Sequence, residues 1–562
     1  MSRVCVSDSS QLPIKKNEPR TEWLSILLAS WLAFVSSSQY SLYFTSLWPF
    51  MKTVPFHFHF GQLDECSVRL FLDPSATEAS FGVVIAVYSL AQIVAAPLLG
   101  WWAHRIERLR PPLVLCNVLM MVGSLLYFLV EAFPATSKTL VLIFARFIAG
   151  TGAGKHRPTA SSSASADILT LRAYVSAAST LEDRARATAF VTGGVAIGIS
   201  LGPAFQIAFS WLSYPGVALF PSVGLHLSMF NAPALFATCI NIANVVILER
   251  LFKESSVGIL EKRKQSQSEE KQPNSVPKLP PPDRVALCLC YLLRFTQQFI
   301  ITNIETIGSA FAMLMFRWGP KEVIYYESLS HIVRGLTALF VYVAYIVLDL
   351  GKIAKDRPVC FVSLVGLLLF HLLTFSWPFL PNDVPELSLW PSGGGGEPPN
   401  KDYQQKNIGL LSVSIQSNNV STTDGGHLPT MVGCDRREHP WCDGLKQVDP
   451  RLYYALMITV IGSTFPLINV SMNTIFSAAV GPRLQAKQQS ILMVSGGMGR
   501  MLGPLLIGLL FTFYGPRLIW IVECVLITFT GTLWVVFYKR LVPLKVPEEL
   551  TNNKPKIART VV

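Results

Sequence analysis

The sequence predicts an all-α polytopic membrane protein with twelve transmembrane helices in two pseudo-symmetric six-helix bundles. Three observations carry this. The apolar residues come in blocks of twenty or more instead of alternating with polar ones, the basic residues collect in the connections on one side, and glycine motifs recur six spans apart. Of 562 residues, 51% are hydrophobic and 15% charged, a balance suited to lipid. The formal charge of +12 sits mostly in short connections between spans. That is the positive-inside bias and argues against a nucleic-acid partner.

Residues 1–22 are polar, carry Lys15, Lys16 and Arg20, and lack an apolar core followed by a small-residue cleavage site. They are expected to be a cytosolic tail and not a cleaved signal peptide. A helix needs about 20 apolar residues to cross the hydrocarbon. In the first bundle, 23–252, such blocks lie near 23–48, 81–103, 113–133, 140–178 (interrupted), 187–212 and 231–251. The segment 253–284, with a basic run at 262–264 and prolines at 280–282, reads as a disordered cytosolic linker. The second bundle, 285–538, holds blocks near 285–316, 323–348, 359–380, 452–480, 490–513 and 518–537, and 539–562 is a second cytosolic tail.

Orientation follows from Arg105, Arg108 and Arg110, then Arg184 and Arg186, Lys352, Lys355 and Arg357, and Arg483 and Lys487, all in connections that should face the cytosol. On the other side, 381–450 should form a large lumenal or extracellular loop. It contains the sequon at Asn419, a candidate glycan site, and Cys434 and Cys442, a candidate local disulfide. A second sequon at Asn469 falls inside span ten, beyond the transferase. Cys116, Cys239, Cys288, Cys290, Cys360 and Cys524 lie in apolar blocks, where a thiol acts as a small hydrophobe.

Span five carries Gly194, Gly198 and Gly202 followed by Pro203, and span eleven Gly499 and Gly503 followed by Pro504. A second echo links 100–105, after span two, to 351–355, after span eight. The offsets are 301 and 251 positions, and the large loop supplies the excess. Internal repeats are a common plan of secondary transporters. Glycines every fourth residue also let helices pack closely, which is compatible with that plan.

At these landmarks the chain resembles the major facilitator superfamily. Gly100, Arg105 and Arg108 fit its signature between spans two and three, although His104 stands where the family usually has Asp. Residues 146–152 look like its Arg-x-x-x-Gly-x-Gly motif in span four, and Gly202–Pro203 and Gly503–Pro504 like its Gly-Pro motif. Within that family the likeness is to a lysosomal member, through 46–49, 86–92, 150–154, 305–307, 441–442 and 499–504. The resemblance implies a transporter of the late endosome or lysosome. There are two departures. Residues 155–166 interrupt span four, which either breaks there or carries a run foreign to the native reading frame. No acidic dileucine signal stands near the amino terminus.

In this fold, spans one, four, seven and ten line the central cavity. Span one offers Ser36, Gln39, Tyr40 and Tyr43 on one face, and span ten Thr464, Asn469 and Asn473. These could bind a polar solute or hydrogen-bond between helices. Intramembrane charge is the sharper signal, since burying it costs at least ~2.5–3.5 kcal/mol. Arg146, Arg294, Glu305, Arg334, Arg500 and Glu523 all fall within spans. Arg146 and Glu305 are the first candidates for substrate or coupling roles. Arg294, eleven residues before Glu305, shares its face, about 16 Å away along the helix. Arg500 and Glu523 are expected to pair between adjacent spans, and Glu305 has Arg334 as a possible structural partner.

No metal-ligand spacing, phosphate loop, cofactor motif or nucleophile–base set is present, so an enzyme is not expected. The leading expectation is a carrier of a small molecule or ion embedded in the lipid bilayer. An anion channel and a non-transporting scaffold are the alternatives.

Overall fold

The computed structural model describes residues 22–53, 78–106, 110–153, 184–252 (without 213, 215 and 221–224), 281–348, 355–389, 431–481 (without 437–438) and 486–544, together with Ser179. Nine stretches among them have the length and hydropathy of a span, and the last, Ile491–Val536, is long enough for two. With the helices Trp23–Ser41 and Ala135–Gly152 the spans number twelve. In order they are span one, Trp23–Ser41; two, Glu78–Ile106; three, Arg110–Ala132; four, Ala135–Gly152; five, Arg184–Phe209; and six, Ala232–Arg250. Spans seven to ten are Arg284–Met315, Pro320–Val347, Asp356–Leu373 and Pro450–Val480. Spans eleven and twelve share the helix Ala486–Val536, broken at Gly515 where φ is +72°.

Local chemistry sets several of these ends. The Asp283 carboxylate accepts from Val285 N at 2.9 Å and opens span seven, and Asp449 does the same for Arg451 N at 2.7 Å ahead of span ten. Pro320 and Pro450 take first-turn positions, where their missing N–H costs nothing. Span one is shorter than the apolar block at 23–48. Its helix stops at Ser41, turns over 42–46 and resumes as a short helix, Leu47–Thr53. Ser37, Ser38 and Ser41 each donate to a carbonyl one turn back, at 2.8, 2.9 and 3.2 Å, a pattern that bends and weakens helices. In span ten, Pro466 follows a π-helical turn at Met457–Ile461. The interruption at 155–166, Arg108, Asn419 and most of the linker and of both tails lie outside the described residues.

The repeat is visible as packing. Span five lies on span one through Gly194, Gly198 and Gly202, where a Cβ would run into the carbonyl oxygens of Ser30, Phe34 and Ser38. Span eleven lies on span seven in the same way, Gly499 against the Phe295 carbonyl and Gly503 against Asn303. Small residues thus let two backbones touch where lipid offers no hydrophobic drive for association.

The two halves meet at two seams that exchange under the same pseudo-symmetry. Span two meets span eleven, with Gly82 against Pro504 and Gly508, Gly497 against Ile93, and Ala79 N donating to Thr512 Oγ1 at 3.0 Å. Span eight meets span five, with Gly335 against Ser200. Thr45 and Ser328 hydroxyls, 3.1 Å apart, add a polar contact between the halves. These contacts lie in the middle and on the side that carries the segment between spans nine and ten, here called the loop side. There one continuous core joins the halves, from Tyr43, Trp48 and Phe81 to Phe311 and Tyr453. On the opposite side, which carries the linker, Ile26, Leu32, Leu113, Ala187, Val191 and Leu248 form a cluster that belongs to the first half alone.

The described part of the large loop is fastened to the second half. Cys434 and Cys442 are joined by a disulfide. Ser388–Leu389 pairs with Met431–Val432, and Gln447 Nε2 donates to the Met315 carbonyl at 2.8 Å. Trp441 lies over Gly515 and donates to the Thr512 carbonyl at 3.2 Å. A hydrogen bond from Lys446, and then its charge, hold the exposed Asp383 carboxyl below the usual carboxylate range.

Candidate functional site

Between the seams the spans place most of their buried charge. In the first half, Arg146 of span four is 3% exposed and lies over two rings, 4.9 Å from the Tyr88 centroid and 5.4 Å from that of Tyr43. Tyr88 packs in turn against Tyr40 at a tilt, with centroids 5.5 Å apart, and Tyr43 against Tyr127 in the same way at 4.5 Å. Tyr40 lies within electrostatic reach of Arg500, Glu305, Tyr88 and Arg146, so it marks the place where the two halves share one field.

In the second half, Glu305 Oε1 accepts from Arg334 Nη2 at 2.9 Å, both side chains 10% exposed. The same Nη2 lies 2.7 Å from His331 Nδ1. A guanidinium only donates, so His331 Nδ1 accepts and the ring keeps its proton on Nε2. Glu327 accepts from the Tyr454 hydroxyl at 3.0 Å. Arg294 Nη1 donates to Gln297 Oε1 and to Asn469 Oδ1, each at 2.9 Å, and Asn469 Nδ2 donates to the Tyr342 hydroxyl at 3.2 Å. Arg500 is 8% exposed.

A separate polar group lies inside the second half. His371 Nε2 is 2.7 Å from Glu523 Oε2, and Asn303 Nδ2 donates to Glu523 Oε1 at 2.9 Å. His371 Nδ1 is 2.7 Å from the Leu367 carbonyl, which only accepts, so Nδ1 carries a proton. This corrects the expected Arg500–Glu523 pair. Arg500 is 15 residues before the Gly515 break and Glu523 eight after it, roughly 22 Å and about 12 Å along their helices, so they sit at different depths.

The structure therefore brings Arg146, Tyr43, Glu305 and Arg500 into one zone and links Arg294 to Asn469. Gln39 is spent elsewhere, exchanging reciprocal amide bonds with Asn241 at 3.0 and 3.1 Å to tie span one to span six. Asn473 is half-buried and makes no hydrogen bond with the described residues. Gly100 lies near the end of span two with Arg105 exposed beyond it. Gly202–Pro203 and Gly503–Pro504 stand where span five packs on span one and span eleven on span seven, with Pro504 also at the seam with span two, and not in the charged zone. Sequence reasoning missed Tyr88, which lies in span two and so outside the four spans taken to line the cavity, and His331, one turn before Arg334. Among the described residues no group of side chains could hold a metal ion.

Comparisons agree with this architecture. A family model described as Major Facilitator Superfamily matches residues 29–392 and 449–560, and the gap between its two parts, 393–448, falls within the large loop. Major facilitator superfamily domain-containing protein 8 of Xenopus laevis is 27% identical over 542 residues, 96% of this chain and 95% of that one. Multidrug resistance protein 2 of Bacillus subtilis (strain 168) is 22% identical over 303 residues, 54% of this chain and 66% of that one. Among solved structures, a bacterial homolog of the human lysosomal transporter Spinster, inward-facing and occupied, superposes with a TM-score of 0.56 at 11% identity, covering 93% of this chain and 98% of that one. A D-xylose-proton symporter gives 0.55 at 11% identity with the same coverage. At such identities the structural likeness concerns the fold.

Proposed function

Because this chain belongs to the Major Facilitator Superfamily, we propose that it is a secondary transporter carrying a small anionic solute across the lysosomal or late endosomal membrane by alternating access. Both termini and the linker then face the cytosol, and the loop with Asn419 faces the lumen. One observation carries the mechanism. The halves share a core on the loop side, whereas on the linker side the first half keeps a cluster of its own that the second half does not join, an asymmetry that supports a carrier open to the cytosol.

The charge between the halves supports an anion, since Arg146, Arg294, Arg334 and Arg500 are buried there against Glu305 and Glu327. Glu305, held by Arg334, is the carboxylate placed to couple transport to protons. When a proton occupies it, Arg334 loses its counter-charge and is free to attract the solute.

Reconstituted vesicles test the reading. Saturable uptake with counterflow is the expected result. A large unitary conductance would replace the carrier with a channel, and no flux across a broad solute panel would leave a scaffold. Metabolites compared in organelles with and without the protein would identify what accumulates.

A further inference from the structure

Among the described residues, two buried guanidiniums in the central zone have no ion-pair partner. Arg146 has its Nε buried with no hydrogen-bond partner among the described residues, and lies over the faces of Tyr43 and Tyr88. Arg500 likewise buries an Nε with no partner. Among the described residues neither makes an ion pair. The carboxylate nearest in electrostatic terms, Glu305, reaches Arg500 only through space and gives its oxygen to Arg334. Ring faces offset part of the desolvation of a cation, but an N–H aimed into protein with no acceptor remains uncompensated. Both groups are donors, so what completes them is an acceptor that carries negative charge.

The two also come from opposite halves. Arg146 belongs to span four and Arg500 to span eleven, and span eleven packs on span two through Gly497 at Ile93 and Pro504 at Gly82, which brings Arg500 level with Tyr88, the ring over which Arg146 lies. We infer that Arg146 and Arg500 form a two-sided clamp for the oxyanion head of a small carboxylate or phosphate, one guanidinium contributed by each half. The role of the clamp in transport rests on the carrier reading above, whereas binding does not. The fork geometry selects an oxyanion over a halide. Nε–H and an adjacent Nη–H form a parallel pair of donors that two oxygens on one carbon or phosphorus match, and a spherical ion engages only one at a time.

Placing one arginine on each half gives the clamp a consequence for the cycle. With the site empty, closing the halves brings two like charges together. With the anion aboard, the same movement brings both charges onto a shared counter-ion. The ligand thereby stabilises the closed arrangement more than the open one, which is what a solute must do to drive the change.

The test uses the full chain in lipid nanodiscs, with inorganic phosphate, acetate and chloride as probes, each titrated by calorimetry at fixed ionic strength. Saturable binding of phosphate or acetate is expected, and whichever binds more tightly assigns the head group. Arg146→Gln and Arg500→Gln should each weaken it at least tenfold. Arg146→Lys and Arg500→Lys keep the charge and the fold but lose the fork, and should recover only a minor part. Thermal melts identify any variant that fails to fold, in which case its Lys counterpart decides.

The clamp is overturned if both Gln variants bind like the parent, if the folded parent binds neither oxyanion, or if chloride binds as tightly as either. Counterflow in vesicles separates this from the carrier reading. Solute exchange without arginine-dependent binding removes the clamp and leaves the carrier. Arginine-dependent binding without any flux does the reverse.

Discussion

Replacing Gly82 with alanine should shift the protein out of the state described here. A Cβ at Gly82 would overlap the Pro504 carbonyl oxygen and lie 3.2 Å from Gly508 Cα. Both neighbours are backbone of the other half, so no side chain can rotate away. Overpacking of this kind costs about 1–3 kcal/mol. If the seam between spans two and eleven parts during transport, only the state closed on the loop side bears that cost. The equilibrium then moves about 5- to 150-fold toward the state open on that side. Gly150→Ala is the matched control. Its Cβ would overlap the Tyr88 carbonyl and meet Ala91 Cβ at 3.0 Å, but both contacts lie within the first half, so the penalty falls equally on every state. A cysteine at Thr45, whose hydroxyl touches Ser328 across the halves, reports the opening through its labelling by a membrane-impermeant maleimide. Labelling should accelerate with Gly82→Ala and stay constant with Gly150→Ala. Equal labelling in both, with equal losses of melting temperature, would show that the seam is fixed and that the rocking of the halves has been misread.

Glu305→Gln should abolish the pH dependence of transport and, by leaving Arg334 unpaired, destabilise the fold by about 3–5 kcal/mol. The double replacement Glu305→Gln with Arg334→Gln should recover much of that stability and none of the pH response; a pH response that survives in it would make Glu305 a strut only. His371→Phe strands the buried Glu523 carboxylate and should cost about 3–5 kcal/mol in denaturation while transport per folded molecule holds, and a selective loss of transport would place that group in the mechanism. Cys434→Ser with Cys442→Ser opens a loop whose ends are eight residues apart and should loosen it by about 2.5 kcal/mol on the chain-entropy estimate, read as faster proteolytic nicking around 431–449; unchanged nicking would mean that Trp441 and Gln447 hold the segment alone. In correctly oriented sealed vesicles tags at both termini should be accessible from the cytosolic face and any glycan should map to Asn419, and protection of either terminus would refute the topology.

The spans were legible because lipid imposes a length and a composition that few other structures share, and the duplication because matching glycines recur six spans apart where the packing leaves no room for a Cβ. The Glu305–Arg334 pairing was also within reach, since neighbouring antiparallel spans bring residues at similar distances from their turn to similar depths. The same arithmetic fails where a turn is hidden. The break at Gly515 lies inside one continuous helical run, and without its position Arg500 and Glu523 look like partners. Partners that come from distant spans were out of reach for a different reason. Gln39 has a readable face, but nothing local says that Asn241, 202 residues away, will satisfy it. Likewise His371 lies 152 residues from Glu523, and only the folded bundle brings them together.

The Trp441 indole, lying over Gly515 and bonded to the Thr512 carbonyl, has a consequence for how the molecule can be addressed from outside the bilayer. Thr512 is also the residue whose hydroxyl meets Ala79 and Glu78 across the seam. An antibody fragment raised against the stapled segment would therefore rest one residue away from the seam between spans two and eleven, the joint that the carrier reading requires to move. A binder that presses the indole down would hold the joint shut, and one that lifts it would release Thr512. Opposite effects on the carrier would thus follow from two neighbouring epitopes that lie away from the buried charged zone.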